Sequence, residues 1–299
     1  MKILLSGGSG FIGKNFLKYF NQNHSEHNIL IIGRNLQANT KKNLYLKFDL
    51  NNIDKNFNEV KEFNPDVFLH LAWEGIPNYS EKFSKKNYEN TMKIINLIAN
   101  ETNCKKIIST GSCWEYNDGN LIGECREDNL IKPSKPFSTY KQKIFEETKK
   151  IAKNKKILFN WLRLFYVYGP SQKNSSIIPM LANKLRQKEK IKINYPANKN
   201  DFIYIDDVAQ ILSKFILTNY ISGAFNVGTG KSTSIYELFK IIDLHINGNK
   251  EISEKYLKTI NLSEVKQDFY ASTDKLIKHF KNFYFTDINI GIQKFLAKS

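Results

Sequence analysis

The chain has 299 residues, of which 41% are hydrophobic and 25% are charged. This length and composition predict one large α/β domain with a smaller lobe, and they exclude a disordered or fibrous protein. No uninterrupted apolar run approaches the roughly 20 residues of a membrane span, and the first apolar segment is too short and too interrupted by glycine for a signal peptide. We therefore expect a cytoplasmic protein that has no membrane partner.

The net charge of +16 raises the question of a phosphate-bearing partner. The lysines are spread along the chain among Asn and Glu, and no basic-aromatic recognition motif accompanies them, so nucleic acid is not expected as a partner. A basic surface also attracts a small anionic substrate. The three cysteines, Cys104, Cys113 and Cys125, are odd in number and lack metal-ligand spacing, which predicts free thiols and no metal site.

The start of the chain has the pattern of a strand, a glycine turn and a helix. Residues 1–6 form an apolar run, Gly7, Gly10 and Gly13 follow, and residues 14–20 have helical spacing. Gly7 permits a tight turn, Gly10 lets a pyrophosphate approach the positive end of the helix, and Gly13 lets the helix pack closely. An ordinary glycine-rich turn is the alternative, but the position between strand and helix favours dinucleotide binding.

The next two strands are predicted to meet the adenosine half of the dinucleotide. The second strand, 28–35, carries Arg34 near its carboxyl end, where an acidic residue selects a free 2′-hydroxyl and an arginine accommodates a 2′-phosphate. Arg34 therefore favours NADP(H), and NAD(H) is the alternative if this side chain only stacks on the adenine. The third strand, 44–48, is followed by Asp49, which either accepts a hydrogen bond from the adenine amino group or caps the next turn.

Strands and helices continue to alternate after this point. A fourth strand spans 66–73 and contains His70, which we expect to pack within the strand rather than act in catalysis. A helix at about 84–100 and a fifth strand at 106–110 follow, and a segment at 163–170 is predicted to be a sixth strand with its exit loop. This alternation predicts an α/β fold with a doubly wound parallel sheet.

Taken in order, these motifs resemble the extended short-chain dehydrogenase/reductase family, whose members act on nucleotide sugars as 4-epimerases, 4,6-dehydratases and 4-keto reductases. The resemblance covers almost the whole chain and rests on Gly7, Gly10, Gly13, Asp49-Leu50, His70-Leu71-Ala72, Asn87, Ser112, Tyr116 and the segments 163–170, 201–209 and 225–228. It implies a Rossmann-like dinucleotide-binding domain at 1–170 and mainly a substrate-binding lobe at 171–299, with about 201–228 returning to the main sheet. The implied cofactor contacts are Gly7, Gly10, Phe11, Ile12, Gly13, Arg34, Asp49, Leu50, Leu71, Ala72 and Lys141.

The chemistry of the family uses three side chains. A Ser or Thr bonds the sugar oxygen, a Tyr passes a proton, and a Lys four residues later lowers the pKa of that Tyr and holds the nicotinamide ribose. Ser112 and Lys141 match the first and third roles, but Phe137 stands at the tyrosine position. The missing hydroxyl predicts a naturally or deliberately disabled form, with Tyr140 or Tyr116 as the alternative proton donor.

The resemblance also implies a set of substrate contacts, namely Trp73, Cys113, Trp114, Tyr116, Lys199 and Asp268. Family members usually carry an arginine before the Asp-Phe pair to grip a diphosphate, whereas Lys199 offers a point charge without a bidentate fork. Dehydratases of the family carry Asp-Glu directly after the Ser or Thr, where this chain has Cys113 and Trp114. Dehydration is therefore less favoured than reduction.

We therefore expect an NAD(P)-dependent oxidoreductase that reduces a nucleoside-diphosphate 4-keto-(6-deoxy)sugar by hydride transfer. A nucleotide-sugar 4-epimerase is the alternative, and a non-catalytic dinucleotide-binding protein is the alternative of another class. The retained Ser112, Lys141 and glycine turn favour an enzyme. Members of the family commonly dimerise through two helices per subunit, which here correspond to about 87–98 and 137–151, so a homodimer is expected.

Overall fold

The computed structural model describes residues 1–34, 39–40, 43–260, 262 and 265–298, so Asn35, the last residue of the predicted second strand, lies outside the described part. The chain divides into two compact units. The first comprises Met1–Asp118, Leu130–Leu164 and Ala209–Phe225, and the second comprises Gly119–Asn129, Phe165–Val208 and Asn226–Ser299.

The strands, in chain order, are β1 (Lys2–Ser6), β2 (Asn28–Gly33), β3 (Asn43–Lys47), β4 (Val67–His70), β5 (Lys106–Ser112), β6 (Ile122–Cys125), β7 (Leu158–Leu164), β8 (Tyr166–Tyr168), β9 (Lys199–Asn200), β10 (Phe202–Tyr204), β11 (Gly223–Val227), β12 (Thr233–Ser234) and β13 (Asp268–Ala271). The α-helices are α1 (Phe11–Asn23), α2 (Phe57–Phe63), α3 (Glu81–Glu101), α4 (Pro136–Lys155), α5 (Ile177–Arg186), α6 (Ile205–Leu217), α7 (Ile235–Asn247), α8 (Glu251–Leu257), α9 (Asp274–His279) and α10 (Ile288–Leu296). None of these described helices is long and apolar enough to cross a membrane.

The main sheet has the strand order β11-β7-β5-β4-β1-β2-β3. The pairs β3·β2, β2·β1, β1·β4, β4·β5 and β5·β7 are all parallel. The direction of strand order reverses between β1 and β4, and in such sheets ligands bind outside the carboxyl ends of the strands at that point. The predicted Rossmann-like doubly wound sheet is therefore confirmed.

The core of the first unit lies between this sheet and the helices α3 and α4. The strands contribute continuous apolar runs because a parallel sheet is covered on both faces. Strands β1 and β4 are buried over Ile3, Leu4, Leu5 and over Val67, Phe68, Leu69, and the helices add Ile95, Ile98, Ile144 and Phe145. This packing fixes the carboxyl edge of the sheet, where the predicted site residues are found.

The segment predicted as one strand and its exit loop at 163–170 divides into two separate strands. β7 begins earlier, at Leu158, and belongs to the main sheet, whereas β8 pairs with β10 in the second unit. The prediction was a strand with its exit loop, and the structure differs in that the strand begins before residue 163 and Tyr166–Tyr168, within the predicted exit loop, forms a second strand.

The second unit contains a four-stranded sheet of order β12-β9-β13-β6 beside the β8·β10 pair. Residues 119–129 belong to it because β6 pairs in parallel with β13. Its buried Asp201 accepts hydrogen bonds from the backbone N–H groups of Thr229, Gly230 and Ala271, at 2.8, 3.0 and 3.1 Å, which joins the turn after β11 to β13. Compared with the predicted domains, the second unit also takes in 119–129 and 165–170, and the part that returns to the first unit is 209–225 rather than about 201–228.

Candidate active site

The glycine turn between β1 and α1 is fixed by steric contacts. Gly7 has φ +78°, and a Cβ there would lie 2.6 Å from the backbone nitrogen of Ala72. A Cβ on Gly13 would lie 2.2 Å from the carbonyl oxygen of Gly7, so α1 can pack against the turn only without a side chain. Gly10 is the N-cap of α1, and within the described residues no side chain caps this end. The first N–H groups of α1 therefore remain available to an anion.

A cleft beside this turn lies at the carboxyl edge of β1, β2 and β4 and has an empty volume of about 840 Å³, partly open to solvent. Of the predicted cofactor contacts, Gly7, Gly10, Arg34, Asp49, Leu50, Leu71 and Ala72 line it. Phe11 and Ile12 begin α1, and Gly13 acts through packing rather than as part of the lining. Trp73, predicted as a substrate contact, also lines this cleft. The geometry thus brings most of the predicted dinucleotide contacts to one place.

Arg34 is engaged by a carboxylate that the sequence analysis did not identify. Its Nη1 lies 3.0 Å from Glu74 Oε1, and the Nζ of Lys86 lies 3.0 Å from Glu74 Oε2. The hydrogen bond from Lys86, together with the two positive charges, lowers the pKa of Glu74. Asn87 holds the backbone of Glu74 through bonds of 2.7 Å and 2.9 Å. Any 2′-phosphate would meet two cations and one anion here.

Asp49 caps the turn after β3, which is one of the two roles predicted for it. Its Oδ1 accepts hydrogen bonds from the backbone N–H of Asn51 at 3.0 Å and from the Asn51 side chain at 2.7 Å. The first of these bonds lowers the pKa of Asp49. Because Asp49 also lines the cleft, its predicted contact with adenine stays a prediction.

His70 is a packed strand residue. It is 3% exposed, its Nδ1 lies 2.7 Å from Ser6 Oγ, and its Nε2 lies 3.0 Å from Thr91 Oγ1. Burial, followed by the charge of Lys141, lowers the pKa of His70 to about 3. The ring is therefore neutral and structural, as predicted.

Ser112, at the end of β5, is positioned by a buried ion pair. Glu115 is fully buried and accepts hydrogen bonds from the Ser112 N–H at 2.8 Å and from Arg163 Nε at 2.9 Å. The indole N–H of Trp161 donates to the same carboxylate at 3.0 Å. A Cβ on Gly111 would lie 2.3 Å from this indole nitrogen. Strand β5 can therefore lie this close to Trp161 only because residue 111 is glycine. Breaking such a pair leaves an uncompensated buried charge, so the turn is held rigidly.

Two residues of this turn that were predicted to contact substrate are buried. Cys113 is 3% exposed, and Tyr116 is 1% exposed with its hydroxyl 3.2 Å from Arg163 Nη1. Their substrate contacts stay predictions, and the burial favours a supporting role for both. Ser112 itself is half-buried, and its Oγ accepts a hydrogen bond from the N–H of Trp114 at 3.2 Å.

Lys141 lies buried on α4 with its ammonium at the end of β5. Its Nζ donates to the carbonyl oxygen of Thr110 at 2.8 Å and lies 4.1 Å from the ring centroid of Trp73. Burial lowers the pKa of Lys141 to about 8, against the opposing effect of Glu115. The carbonyl and the aromatic face both favour the charged form, which therefore persists at neutral pH.

The first turn of α4 is anchored by Asp118, which has φ +55°. Its carboxylate accepts hydrogen bonds from the N–H groups of Ser134 and Lys135, at 2.9 and 3.2 Å, and from the Ser138 hydroxyl. These donors belong to the two residues before α4 and to its first turn, so Asp118 fixes the entry into the helix. This anchoring sets the position of the turn that carries Phe137.

Phe137 lies in an aromatic cluster formed with Trp73, Tyr79 and Trp114. The Phe137 ring centroid is 5.2 Å from that of Trp73, 4.8 Å from that of Tyr79 and 6.1 Å from that of Trp114. Lys141 Nζ is 6.0 Å from the same centroid. The structure thus brings together Ser112, Phe137, Lys141, Trp73 and Trp114, which the sequence analysis had selected, and it adds Tyr79, which no sequence motif indicated.

Tyr140 points away from this cluster. Its hydroxyl donates to Glu81 Oε1 on α3 at 2.6 Å, and its ring packs against Tyr88 at 5.5 Å. The hydrogen bond to Glu81 raises the pKa of Tyr140. Tyr140 therefore joins α3 to α4, and Phe137 rather than Tyr140 occupies the position beside Lys141.

The remaining two predicted substrate contacts lie in the second unit. Lys199 Nζ is 2.8 Å from Asp268 Oδ2, and the Ser232 hydroxyl donates to Asp268 Oδ1 at 2.7 Å. The side chains of Lys199 and Asp268 are partly exposed. The pair is locally ordered, and its contact with a substrate stays a prediction.

Comparisons with known proteins agree on the family. The model described as "NAD dependent epimerase/dehydratase family" matches residues 3–228. ADP-L-glycero-D-manno-heptose-6-epimerase of Brachyspira hyodysenteriae is 27% identical over 98% of this chain and 96% of its own length. GDP-6-deoxy-D-talose 4-dehydrogenase of Aggregatibacter actinomycetemcomitans is 24% identical over 81% of this chain and 79% of its own.

A solved structure shows the same fold at lower identity. UDP-glucose 4-epimerase of Thermotoga maritima, determined with UDP-glucose, aligns with a TM-score of 0.83 over 100% of this chain and 98% of its own, at 16% identity. At that identity the likeness bears on the fold alone.

Proposed function

Because the chain belongs to the NAD dependent epimerase/dehydratase family, we propose that it reduces a nucleoside-diphosphate 4-keto-(6-deoxy)sugar with a nicotinamide dinucleotide. The residues present fit such a cofactor, since Gly7 and Gly13 leave no room for side chains and the uncapped start of α1 borders the cleft. Gly7, Gly10, Asp49 and Arg34 would hold the dinucleotide. When bound, it supplies hydride at its nicotinamide C4.

The observation that carries this proposal is that Ser112 ends β5 while the Lys141 ammonium bonds Thr110 of the same strand and lies against the ring of Trp73, which lines the cleft. The Ser112 hydroxyl is exposed enough to bond a sugar oxygen, and the buried Lys141 ammonium, at the carbonyl of Thr110, favours negative charge nearby. Both groups would stabilise the alkoxide that forms when a keto oxygen receives electrons. A protein that had kept only the dinucleotide fold would not need this pair.

Reduction is favoured over elimination because of the residues after Ser112. Dehydratases of the family use an acidic pair there, whereas Cys113 is buried and Trp114 is aromatic. No carboxylate of this turn is available, since Glu115 is fully buried against Arg163. The similarity to a GDP-6-deoxy-D-talose 4-dehydrogenase supports redox chemistry at C4 of a 6-deoxy sugar. The similarity to epimerases keeps 4-epimerisation as the second candidate.

We propose NADP(H) as the preferred cofactor, from Arg34 and from Lys86 beside it. The Arg34, Lys86 and Glu74 trio carries a net charge of +1, which suits a 2′-phosphate better than a lone carboxylate would. Glu74 competes for the same two cations, so the preference over NAD(H) is expected to be modest.

The test is cofactor stoichiometry. The purified chain is mixed with reduced cofactor and a panel of nucleoside-diphosphate 4-keto-6-deoxy sugars, and the loss of reduced nicotinamide is compared with the sugar converted. A reductase consumes one cofactor per sugar. A 4-epimerase interconverts nucleoside-diphosphate hexoses with no net loss of cofactor. A non-catalytic protein binds the dinucleotide but converts neither the 4-keto-6-deoxy sugars nor the hexoses. Lys141→Met serves as the control that should keep the fold and lose turnover.

We also keep homodimerisation through α3 and α4 as a proposal. Among the described residues of these two helices, the large apolar side chains are buried or half-buried, and the half-buried ones are Phe83, Tyr88, Leu97 and Ile151. Any dimer would therefore use a mixed polar and apolar face. Sedimentation that shows only a monomer at micromolar concentration would remove this part of the proposal.

A further inference from the structure

Tyr79 lies on the loop between β4 and α3, directly over the residue that lacks the catalytic hydroxyl. Its ring centroid is 4.8 Å from that of Phe137, at an interplanar angle of 56°. It is also 5.5 Å from the ring of Trp114, at 53°. Tyr79 is half-buried, so its side chain is only partly covered by the cluster.

The two ring partners of Tyr79 are themselves tied to the groups that would hold the substrate oxygen. Trp114 donates its backbone N–H to Ser112 Oγ at 3.2 Å. Phe137 has Lys141 Nζ 6.0 Å from its ring centroid. Tyr79 therefore packs on two residues, of which one is bonded to Ser112 through its backbone and the other lies beside Lys141.

The hydroxyl of Tyr79 is free for this purpose, whereas those of the competing tyrosines are engaged. Among the described residues, no side chain or backbone group forms a hydrogen bond with the Tyr79 hydroxyl, and this oxygen is not sealed from solvent. Tyr140 donates to Glu81, and the Tyr116 hydroxyl is buried against Arg163. Of these three candidate donors, only Tyr79 faces the cluster with an uncommitted phenol.

We propose that Tyr79 supplies the phenolic proton that position 137 does not, and that it donates this proton to the 4-oxygen of the keto sugar. This inference rests on the proposed function. As hydride adds to C4, the electron pair of the carbonyl π bond moves to the oxygen, which forms a new O–H bond with the Tyr79 proton. The phenol O–H bond breaks, and the resulting phenolate takes a proton from water.

The environment of Tyr79 suits donation better than abstraction. Burial raises the pKa of Tyr79, so the phenol is protonated at neutral pH. A protonated donor is what reduction of a ketone requires, whereas oxidation of an alcohol requires a phenolate. Tyr79 lies on a loop and not on α4. The sequence spacing between a tyrosine and Lys141 therefore does not identify Tyr79 as a proton donor.

The experiment compares four variants, Phe137→Tyr alone being one of them, with the parent chain in reduction of one accepted 4-keto sugar. Tyr79→Phe should lower kcat roughly 10²- to 10⁴-fold, with substrate affinity measured by calorimetry changed little. Tyr140→Phe is the matched control, because it also removes one phenol oxygen from a packed aromatic residue, and its kcat should stay within a few-fold of the parent. Adding Phe137→Tyr to Tyr79→Phe should restore turnover, since it returns a phenol to the same cluster.

Specific outcomes overturn the inference. If Tyr79→Phe keeps the kcat of the parent, Tyr79 is not the donor and the proposed function still stands. If the parent is inactive and Phe137→Tyr alone makes it active, the chain is a disabled form, which also rejects Tyr79. If neither the parent nor Phe137→Tyr reduces any 4-keto sugar although both bind the dinucleotide, the proposed function fails, and the role of Tyr79 fails with it.

Discussion

The carboxyl edge of the main sheet contains two neighbouring regions that are built in different ways. At the turn after β1, backbone packing decides the residues, since a Cβ at Gly7 or Gly13 would overlap backbone atoms. At the end of β5, a network of side chains distant in sequence decides the geometry, since Glu115 joins Ser112 to Arg163. A backbone constraint requires glycine at a fixed spacing in the sequence, whereas a network of side chains from separate segments leaves no such spacing.

The largest expected effect tests whether the β5 region depends on its buried ion pair. Glu115→Ala leaves the Arg163 guanidinium buried without its partner and should lower the free energy of unfolding by about 3–5 kcal/mol. The exposed pair of Lys61 and Glu101, at 3.1 Å, is the matched control, and Glu101→Ala should cost about 0–1 kcal/mol. Denaturant unfolding measures both. Equal losses would mean that the network does not hold the β5 turn.

The next prediction separates function from stability in the same region. Lys141→Met should abolish turnover and stabilise the fold at neutral pH by up to about 3 kcal/mol, because burial of the ammonium lowers its pKa from 10.5 to about 8. Between pH 8 and pH 10.5 the unfolded chain binds more protons at Lys141 than the folded chain does. The free energy of unfolding of the parent therefore rises with pH over this range. The increase in the free energy of unfolding that Lys141→Met gives over the parent should therefore be largest below pH 8 and decrease toward pH 10.5. A loss of stability at neutral pH would contradict this account of Lys141.

The glycine region should respond to the smallest added group. Gly13→Ala places a methyl 2.2 Å from the Gly7 carbonyl oxygen and should cost about 1–3 kcal/mol of unfolding free energy. It should also weaken dinucleotide binding, because the turn must move. At Gly33 a Cβ would meet no described atom within 4 Å, so Gly33→Ala is the control for stability. Thermal unfolding and cofactor titration compare the two, and a tolerated Gly13→Ala would remove the steric argument.

The smallest effect concerns the charges at the adenosine end of the cleft. Parent protein should bind NADP(H) several-fold tighter than NAD(H), and Arg34→Ala should narrow that difference. Glu74→Gln should widen it, because Arg34 and Lys86 lose the carboxylate that competes with a 2′-phosphate. Calorimetric titration with both cofactors gives the ratios. A preference for NAD(H) in the parent would remove NADP(H) from the proposed function.

The difference between the two regions also explains what could be predicted from the sequence. The strands of the main sheet are apolar runs of four to seven residues, so β1, β2 and β5 are visible as patterns to within a few residues. The two-residue strands β9 and β12 are too short to show any period, and each depends on a neighbour distant in sequence, since β12 pairs with β9 and β9 pairs with β13. The sheet of the second unit could therefore not be predicted from the sequence.

The site divides in the same way. Gly7, Arg34 and Asp49 could be placed because the fold requires particular residues at particular strand ends. Glu74 and Tyr79 could not, since the first acts through Arg34, 40 residues away, and the second through ring contacts with Phe137 and Trp114. Such contacts are set by packing, for which one sequence carries no short-range signal.

The most direct test of the central claim is transfer of a labelled hydride. Parent protein is incubated with a nucleoside-diphosphate 4-keto-6-deoxy sugar and NADPH that carries deuterium at the nicotinamide C4, and the product sugar is examined by mass spectrometry and NMR. The account predicts one deuterium per product at sugar C4 from one of the two labelled faces of the cofactor, and none with Lys141→Met. Conversion of the sugar without label at C4, or binding of both ligands with no conversion by the parent or by Phe137→Tyr, would contradict it.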